Sequence, residues 1–195
     1  MHRIEKLVVL DFETTDSDKG LRAVELAAIV VRKGQVAETF GELINPGCRI
    51  DSGSRSIHGI SNRDVRDAPS FREHWPRVRR LLRDAIVIAH HAPFDACVMR
   101  NELWRNRLTP PPLEWWCTLR LAHALWPDRF ERYGLAPLVE ALGLPVQPTH
   151  RALDDAHAAL ELFRRQLDAA RERRLRLRPT IRNWARLKGE KSWPF

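Results

Sequence analysis

Short apolar runs and strand-like alternation in the first half of the chain predict a sheet that begins with a hairpin. Residues 6–11 read KLVVLD, an apolar run that ends in an acid, as expected for a buried strand. Residues 24–31 and 35–43 are two further strand-like stretches, and the sequence RKG between them favours a turn. These two stretches are therefore predicted to pair as neighbouring antiparallel strands.

Further along the chain, helical spacing of apolar residues alternates with short apolar runs. Helices are predicted at 71–83, 94–105, 119–125, 135–142 and 151–174, and strands at 85–89 and 115–118. The loop-like composition of residues 48–70, rich in Ser, Gly, Asn, Asp and Pro, predicts no regular element there. Hairpin strands followed by alternating strands and helices are typical of an α/β domain with three layers, α/β/α, around a central mixed five-stranded sheet.

The last sixth of the chain carries all of its net charge. Between Arg164 and Phe195 stand 11 basic and 3 acidic residues, which accounts for the whole formal charge of +8. The sequence Arg178-Pro179 interrupts the helical pattern, so we expect a folded domain over residues 1–177 and a basic tail over residues 178–195, in which 181–187 has helical spacing. A basic tail suits a polyanion such as nucleic acid, and a solubilising terminal helix is the alternative.

Length and composition narrow the class of protein. A chain of 195 residues with 44% apolar and 30% charged residues is typical of one globular domain. Its apolar runs in the first half are far shorter than the roughly 20 residues that span a bilayer. The N-terminus lacks the apolar segment of a signal peptide, so a cytoplasmic protein without a membrane partner is expected. The three dispersed cysteines argue against a disulfide framework and a zinc site, and reduced thiols are expected: Cys48, Cys97 and Cys117.

The seven tryptophans fall into two groups. Five lie in or beside predicted elements and are expected in the core: Trp75, Trp104, Trp115, Trp116 and Trp126. Trp184 and Trp193 belong to the basic tail, where they fit stacking on nucleic-acid bases or contact with a partner.

Two carboxylates end the first predicted strand. Side chains alternate across a strand, so Asp11 and Glu13 point the same way from an otherwise apolar segment. Like charges held side by side are costly unless a cation lies between them, and hard divalent cations prefer oxygen ligands. Taken alone, this pair fits both a metal site and a solvent-exposed strand end.

Three more polar residues lie beside predicted helix starts. Asp95 follows a buried strand and begins a helix, where it fits either a capping acid or a ligand. Asp155 falls among the alanines on the packing face of the 151–174 helix, where an acid needs a partner. His150 precedes that helix and is free to lean over the same site, whereas Asp154 is explained as an acid of the first turn.

Together these residues supply four carboxylates and one histidine beside buried strand or helix ends. That inventory suits two-metal phosphodiester hydrolysis, in which two divalent ions about 4 Å apart activate water and stabilise the leaving oxygen. A histidine that titrates near neutrality can accept the proton of the attacking water. The sequence therefore predicts a metal-dependent hydrolase of a phosphodiester.

Six sequence blocks, in order, resemble the DnaQ-like exonuclease superfamily of the DEDDh subtype, which has the ribonuclease H-like fold. They are VVLDFETT at 8–15, INP at 44–46, IHGI at 57–60, IAHHAPFD at 88–95, CTLRLAHALWP at 117–127 and HRALDDA at 150–156. The match covers roughly residues 5–168 and is most similar to the DNA polymerase III epsilon subunit and exonuclease X type. The resemblance implies that residues 1–177 form an exonuclease domain that uses two divalent cations, Mg²⁺ or Mn²⁺.

The resemblance also implies a role for each matching position. Asp11, Glu13, Asp95 and Asp155 would bind the metals, and His150 would be the general base. Seven further positions would contact the terminal nucleotide or line the site: Phe12, Thr14, Thr15, Ile57, His58, His90 and Phe94. The chain departs from the family pattern at His91, where many relatives carry Asn, and a partly exposed loop histidine is expected there.

The expected substrate is DNA, degraded from a single-stranded 3′ end to nucleoside 5′-monophosphates, in proofreading or repair. Two alternatives fit the same residues: a 3′→5′ exoribonuclease of the superfamily, and a polymerase-associated module that binds nucleic acid without hydrolysing it. Association with a DNA polymerase or a sliding clamp is a further expectation from the resemblance.

Overall fold

A mixed five-stranded sheet lies at the centre of the structure, a computed structural model that describes residues 6–15 and 20–175. The strands are β1 (Lys6–Thr15), β2 (Arg22–Arg32), β3 (Gln35–Leu43), β4 (Ile86–Ala89) and β5 (Glu114–Cys117). Their order across the sheet is β3-β2-β1-β4-β5. The pairs among β1, β2 and β3 are antiparallel, and β4 joins β1 and β5 in parallel. The predicted mixed sheet of five strands is confirmed.

Helices cover both faces of this sheet. Among the described residues they are α1 (Ser52–His58), α2 (Phe71–Leu82), α3 (Ala92–Asn106), α4 (Thr118–Leu125), α5 (Leu135–Ala141) and α6 (Ala152–Glu172). One large apolar cluster joins the sheet to α2 and α3, and a second joins the opposite face to α4, α5 and α6. The three-layer α/β/α architecture predicted from the sequence is therefore confirmed.

Strand β1 is apolar on both faces because helices cover both sides. Val8 and Leu10 belong to the cluster with α2 and α3, whereas Val9 belongs to the cluster with α6. Since side chains alternate along a strand, this register directs Asp11 and Glu13 toward the α6 side. The fold thus turns the two carboxylates of β1 toward the helix that carries Asp155.

Helix α1 lies in the segment that the sequence predicted to be a loop, so that prediction was wrong. With seven residues, α1 is too short to show helical periodicity. Its start is stabilised by Asp51, whose side chain accepts the backbone N–H of Ser54 at 2.8 Å. It ends at Gly59, whose φ of 74° is a left-handed conformation that suits glycine.

The prediction that Trp104 belongs to the core was also wrong. The other four tryptophans expected in the core are buried, but Trp104 is 72% exposed on α3. It follows the fully buried Leu103, and a turn of about 100° per residue rotates it away from the sheet.

Some predictions fall on residues that the structure does not describe. These are the boundary at Arg178-Pro179, the basic tail over 178–195, the helix candidate at 181–187, and the tryptophans Trp184 and Trp193. Within residues 6–15 and 20–175, no helix combines the length and apolar character needed to cross a membrane. The three cysteines are free thiols, as predicted.

Candidate active site

Three carboxylates converge at the end of β1. Asp11 and Glu13 come from one side of the strand, and Asp155 comes from the first turn of α6. One carboxylate oxygen from each lies within 4.8 Å of the other two. A set of hard oxygen ligands this close together can share a divalent cation, so the residues present fit the metal that the sequence predicted.

The electrostatics of this cluster favour a cation. Burial raises the pKa of Asp11 well above its usual range, and the neighbouring carboxylates raise it further, Asp95 most of all. Burial, followed by the charges of Asp155 and Glu25, raises the pKa of Glu13 to about 8. Burial also raises the pKa of Asp155. A divalent cation would take the place of the protons that the cluster otherwise holds.

Asp95 lies next to this cluster but outside its three close oxygens. It stands in the first turn of α3, is 2% exposed, and accepts the backbone N–H of Phe12 at 3.2 Å. This bond joins α3 to β1 between the two carboxylates of the strand. The side chain therefore has a structural partner as well as an electrostatic effect on Asp11.

The loop before α6 holds His150 beside Asp155. His150 is exposed and has a left-handed backbone with a φ of 58°. One oxygen of Asp155, Oδ1, accepts the backbone N–H groups of Thr149 at 2.9 Å and of His150 at 3.2 Å. A single side chain thus joins the predicted metal site to the backbone of the predicted general base.

Glu25 is a site residue that the sequence reasoning missed. It lies directly opposite Glu13 in the β1–β2 pair and is 6% exposed. Its carboxylate accepts two hydrogen bonds from Arg151, at 3.1 and 2.6 Å, and the backbone N–H of Ala152 at 2.9 Å. These bonds fasten the start of α6 to the sheet immediately after His150. A lone acid within the apolar run of residues 24–31 was the only sign of this in the sequence.

The predicted nucleotide-contact residues surround the end of β1 and the end of α1. Phe12 and Thr15 are buried, whereas Thr14 and Phe94 are partly buried. Thr15 Oγ1 accepts the backbone N–H of Arg22 at 3.2 Å, so this hydroxyl also has a place in the strand pairing.

The last two residues of α1 differ in exposure. Ile57 is 58% exposed, and the next residue, His58, is buried. The Nδ1 atom of His58 accepts the N–H of Ile60 at 3.0 Å, so Nε2 carries the proton of the neutral ring. Burial lowers the pKa of His58, and the backbone of Thr14 lies close enough to oppose that shift. Nε2 has no partner of good geometry among the described residues and is a donor suited to a ligand.

His90 uses both ring nitrogens within the protein. Nδ1 lies 2.9 Å from the hydroxyl of Thr118, and Nε2 lies 3.1 Å from the carbonyl oxygen of Tyr133. Because a carbonyl only accepts, Nε2 carries the proton and Nδ1 accepts the hydroxyl. Burial lowers the pKa of His90 to about 4, so the ring is neutral. A contact with a nucleotide through a ring nitrogen would require one of these bonds to break.

His91 occupies a backbone position that also suits the asparagine of many relatives. It is the N-cap of α3, exposed, with a φ of 61°. Among residues other than glycine, Asn, Asp and His adopt the left-handed backbone conformation several-fold more often than the rest. The departure from the family pattern therefore introduces a residue type that this conformation accepts.

Comparisons with known proteins find nuclease relatives over most of the chain. A family model described as Exonuclease matches residues 8–163. The 3′-5′ exonuclease DinG of Bacillus subtilis (strain 168) is 33% identical over 170 residues, which cover 86% of this chain and 18% of DinG. A PolC-type DNA polymerase III of Thermotoga maritima is 36% identical over 163 residues, which cover 81% of this chain and 12% of the polymerase. The chain therefore spans less than a fifth of the length of these curated relatives.

A solved structure gives the same result for the fold. Exonuclease X, in complex with 5′ overhanging duplex DNA, aligns with a TM-score of 0.67 and 27% sequence identity. The alignment covers 90% of this chain and 97% of that chain.

Proposed function

Because this chain belongs to the exonuclease family, in the DEDDh branch of the DnaQ-like superfamily, we propose that it removes nucleoside 5′-monophosphates from the 3′ end of DNA. The family assignment supports a metal-dependent 3′→5′ exonuclease, and a two-metal mechanism is general in the family. The observation that carries the proposal is the convergence of Asp11, Glu13 and Asp155 at the end of β1.

In this proposal Asp11, Glu13 and Asp155 hold the divalent cations, Mg²⁺ or Mn²⁺, and Asp95 completes the set. Bound cations would act as Lewis acids on the phosphate and would lower the pKa of the attacking water. The chain supplies carboxylates whose pKa values burial has raised, so the cations compete with protons for the same oxygens. Metal binding is therefore expected to weaken as the pH falls.

His150 is proposed to be the general base. A water oxygen attacks the terminal phosphorus, and the bond from phosphorus to the O3′ of the penultimate nucleotide breaks. His150 accepts the proton of the attacking water, and the departing oxygen takes a proton from solvent to become the 3′ hydroxyl of the shortened strand. The backbone bond of His150 to Asp155 supports this role, because it holds the residue beside the proposed metal ligands.

The terminal nucleotide is proposed to lie between β1 and α1. The buried Nε2–H group of His58 supports this position, because it has no acceptor of good geometry within residues 6–15 and 20–175, and a nucleotide oxygen would supply one. Thr14 and Phe12 lie on the same end of β1, and the exposed Ile57 stands next to His58. An exposed apolar side chain at this point suits contact with a base.

The experiment that tests the proposal measures nucleotide release from 3′-labelled single-stranded DNA with Mn²⁺. Asp155→Asn is expected to lower the rate at least about a hundredfold, because a metal ligand is lost. Asp154→Asn is the matched control: this neighbouring acid accepts the hydroxyl of Thr149 at 2.6 Å outside the cluster. It should retain at least a third of the activity. No release by the wild type, or equal release by Asp155→Asn, would refute the proposal.

The choice of DNA rests on the relatives, which include a DNA polymerase III and an exonuclease solved with duplex DNA. An RNA oligomer of the same sequence should be degraded more slowly, and faster degradation would replace DNA with RNA as the substrate. A role in proofreading or repair beside a DNA polymerase or clamp is proposed on the same similarity. The basic tail over 178–195 is proposed to add affinity for nucleic acid, which its deletion and a salt titration of binding would test.

A further inference from the structure

Arg151 is the N-cap residue of α6, directly after His150, and its side chain reaches from the helix to the sheet. Its Nε and Nη2 atoms donate to the two carboxylate oxygens of Glu25, at 3.1 and 2.6 Å. A guanidinium group that donates two parallel N–H groups to one carboxylate is fixed in direction as well as in distance. Because Glu25 is buried in β2, this pair attaches Arg151 to a rigid part of the fold.

The attachment lies beside the candidate metal ligands. Glu25 is directly opposite Glu13 in the β1–β2 pair, and opposite residues of antiparallel strands have side chains on the same face, with Cβ atoms about 5 Å apart. Glu25 also accepts the backbone N–H of Ala152 at 2.9 Å. Two consecutive residues at the start of α6 are therefore bonded to one carboxylate next to Glu13.

The direction of the His150 ring depends on the backbone that carries it. Among the described residues the exposed ring has no hydrogen-bond partner. The φ of 58° is left-handed, and residues other than glycine keep such a conformation where surrounding contacts hold it. On one side, Oδ1 of Asp155 accepts the backbone N–H groups of Thr149 and His150. On the other side, Glu25 holds the side chain of Arg151.

The docking of α6 on the sheet has a separate cause. Ala152, Ala156 and Ala159 are buried in the apolar cluster that joins this helix to the sheet. Asp155 lies on the helix that this packing holds. Loss of the bond between Arg151 and Glu25 should therefore loosen the loop that carries His150 and leave Asp155 in place.

We propose that Arg151 is a positioning residue for the general base: its bond to Glu25 fixes the loop that aims the ring of His150 at the metal site. This inference rests on the proposed function, in which His150 accepts the proton of the attacking water. A base that is aimed wrongly slows the chemical step, whereas the binding of metal and substrate does not require it.

A purely electrostatic role of the pair would give opposite results for its two members. Glu25→Gln removes a negative charge beside Glu13 and would weaken the binding of a divalent cation, whereas Arg151→Gln removes a positive charge and would strengthen it. A positioning role predicts that both substitutions act in the same direction. At saturating Mn²⁺, each should lower kcat about 10- to 100-fold with KM within threefold of wild type. Arg151→Lys, which keeps a donor but loses the fork, should lower kcat less than Arg151→Gln.

These constants are measured on two substrates, a single-stranded DNA of about 20 nucleotides and the p-nitrophenyl ester of thymidine 5′-monophosphate. Because the general base acts on the same attacking water in both, the loss of kcat should appear with both. Asp168→Asn and Arg171→Gln are the matched controls, since each breaks an exposed ion pair of 2.7 Å near the far end of α6. Both should keep kcat within twofold of wild type.

The decisive measurement removes the residue through which Arg151 is proposed to act. In a His150→Ala background, Arg151→Gln should change kcat less than threefold, because no ring remains to be positioned. The double variant Glu25→Gln/Arg151→Gln should be within about threefold of the slower single variant, because both substitutions break the same bond.

Three results would overturn the inference. A full 10- to 100-fold loss of kcat on Arg151→Gln in the His150→Ala background would show that Arg151 acts on something other than the base. Opposite shifts in Mn²⁺ affinity for Glu25→Gln and Arg151→Gln, with unchanged kcat at saturating Mn²⁺, would show a charge effect instead. A rise in KM for the long strand alone would make Arg151 a phosphate contact.

Failure of the proposed function would be recognised separately. If the wild type hydrolyses neither substrate, the proposed function is wrong, and the positioning is then tested by NMR relaxation of the metal-free protein. In Arg151→Gln, the order parameter of the His150 amide should fall from about 0.85 to below about 0.6, while the amides of residues 156–168 stay rigid. Arg171→Gln should leave all of these values unchanged. An unchanged order parameter of His150 in Arg151→Gln would overturn the inference in that case.

Discussion

Replacing Glu13 with glutamine is expected to stabilise the metal-free protein at alkaline pH. Burial, with the charges of Asp155 and Glu25, raises the pKa of Glu13 to about 8, from an ordinary value of 4.5. The folded state therefore binds this proton more tightly than the unfolded state. The stability that this proton contributes is complete below pH 4.5 and is lost as the pH rises toward 8.

The size of the effect follows from the shift. At about 1.4 kcal/mol per pKa unit, the interval from 4.5 to 8 corresponds to a loss of about 5 kcal/mol in the free energy of unfolding. Neighbouring carboxylates can relieve part of this cost by taking up protons themselves. We therefore expect Glu13→Gln to be more stable than wild type by about 2 to 5 kcal/mol at pH 8.5, and by about 2 kcal/mol at most at pH 6.

The assay is equilibrium unfolding in urea with EDTA at pH 4, 6 and 8.5. The two proteins should have nearly equal stability at pH 4 and should diverge as the pH rises. Glu140→Gln, an exposed substitution on α5, is the matched control and should stay within about 0.5 kcal/mol of wild type throughout. Parallel pH profiles of wild type and Glu13→Gln would refute the reasoning.

Added Mn²⁺ gives the same variants a second readout. A cation that binds only the folded state stabilises it by an amount that grows with its concentration relative to Kd. At pH 8.5, Mn²⁺ should therefore stabilise wild type and Glu140→Gln more than Glu13→Gln. Equal stabilisation of all three would show that Glu13 is not a metal ligand.

The remaining predictions concern the start of α6 and the end of α2. Glu25→Gln weakens the ion pair with Arg151 and should lower kcat about 10- to 100-fold in steady-state assays, with KM within threefold of wild type. A change in KM alone would contradict a positioning role for Glu25. His150→Ala should lower kcat about 10²- to 10⁴-fold and leave the affinity for Mn²⁺, measured by calorimetry, unchanged. Loss of Mn²⁺ binding would show instead that His150 is a metal ligand. Lys6 Nζ donates to the carbonyl of Arg83 at 2.9 Å, so Lys6→Met should lower the free energy of unfolding in urea by about 1 to 2 kcal/mol. An unchanged free energy of unfolding would show that this hydrogen bond makes no net contribution to stability.

Most of the regular structure was predictable because it depends on local periodicity. The five strands and the longer helices were found within a few residues of their ends, since buried faces repeat every two residues in strands and every 3.6 in helices. Helix α1 was missed because its stability comes from the Asp51 cap and from burial of Ser54 and His58, rather than from an apolar stripe. Trp104 was misplaced because an aromatic residue on a helix does not reveal which face the sheet covers.

The sequence by itself determined the spacing of the predicted ligands. Asp11 and Glu13 must share a face because they are two residues apart in a strand, and His150 must lie just before the helix that carries Asp155. Only the tertiary structure decided that these groups meet, and that Glu25 lies opposite Glu13.

The tertiary structure alone also decided that Glu25 pairs with Arg151, which lies 126 residues away in the chain, and that Trp104 stays outside the core. The physical reason is that strand pairing and helix docking join distant segments, so these contacts depend on how whole faces pack. Local patterns limit which face each residue occupies, and the packing of those faces decides which residues become neighbours.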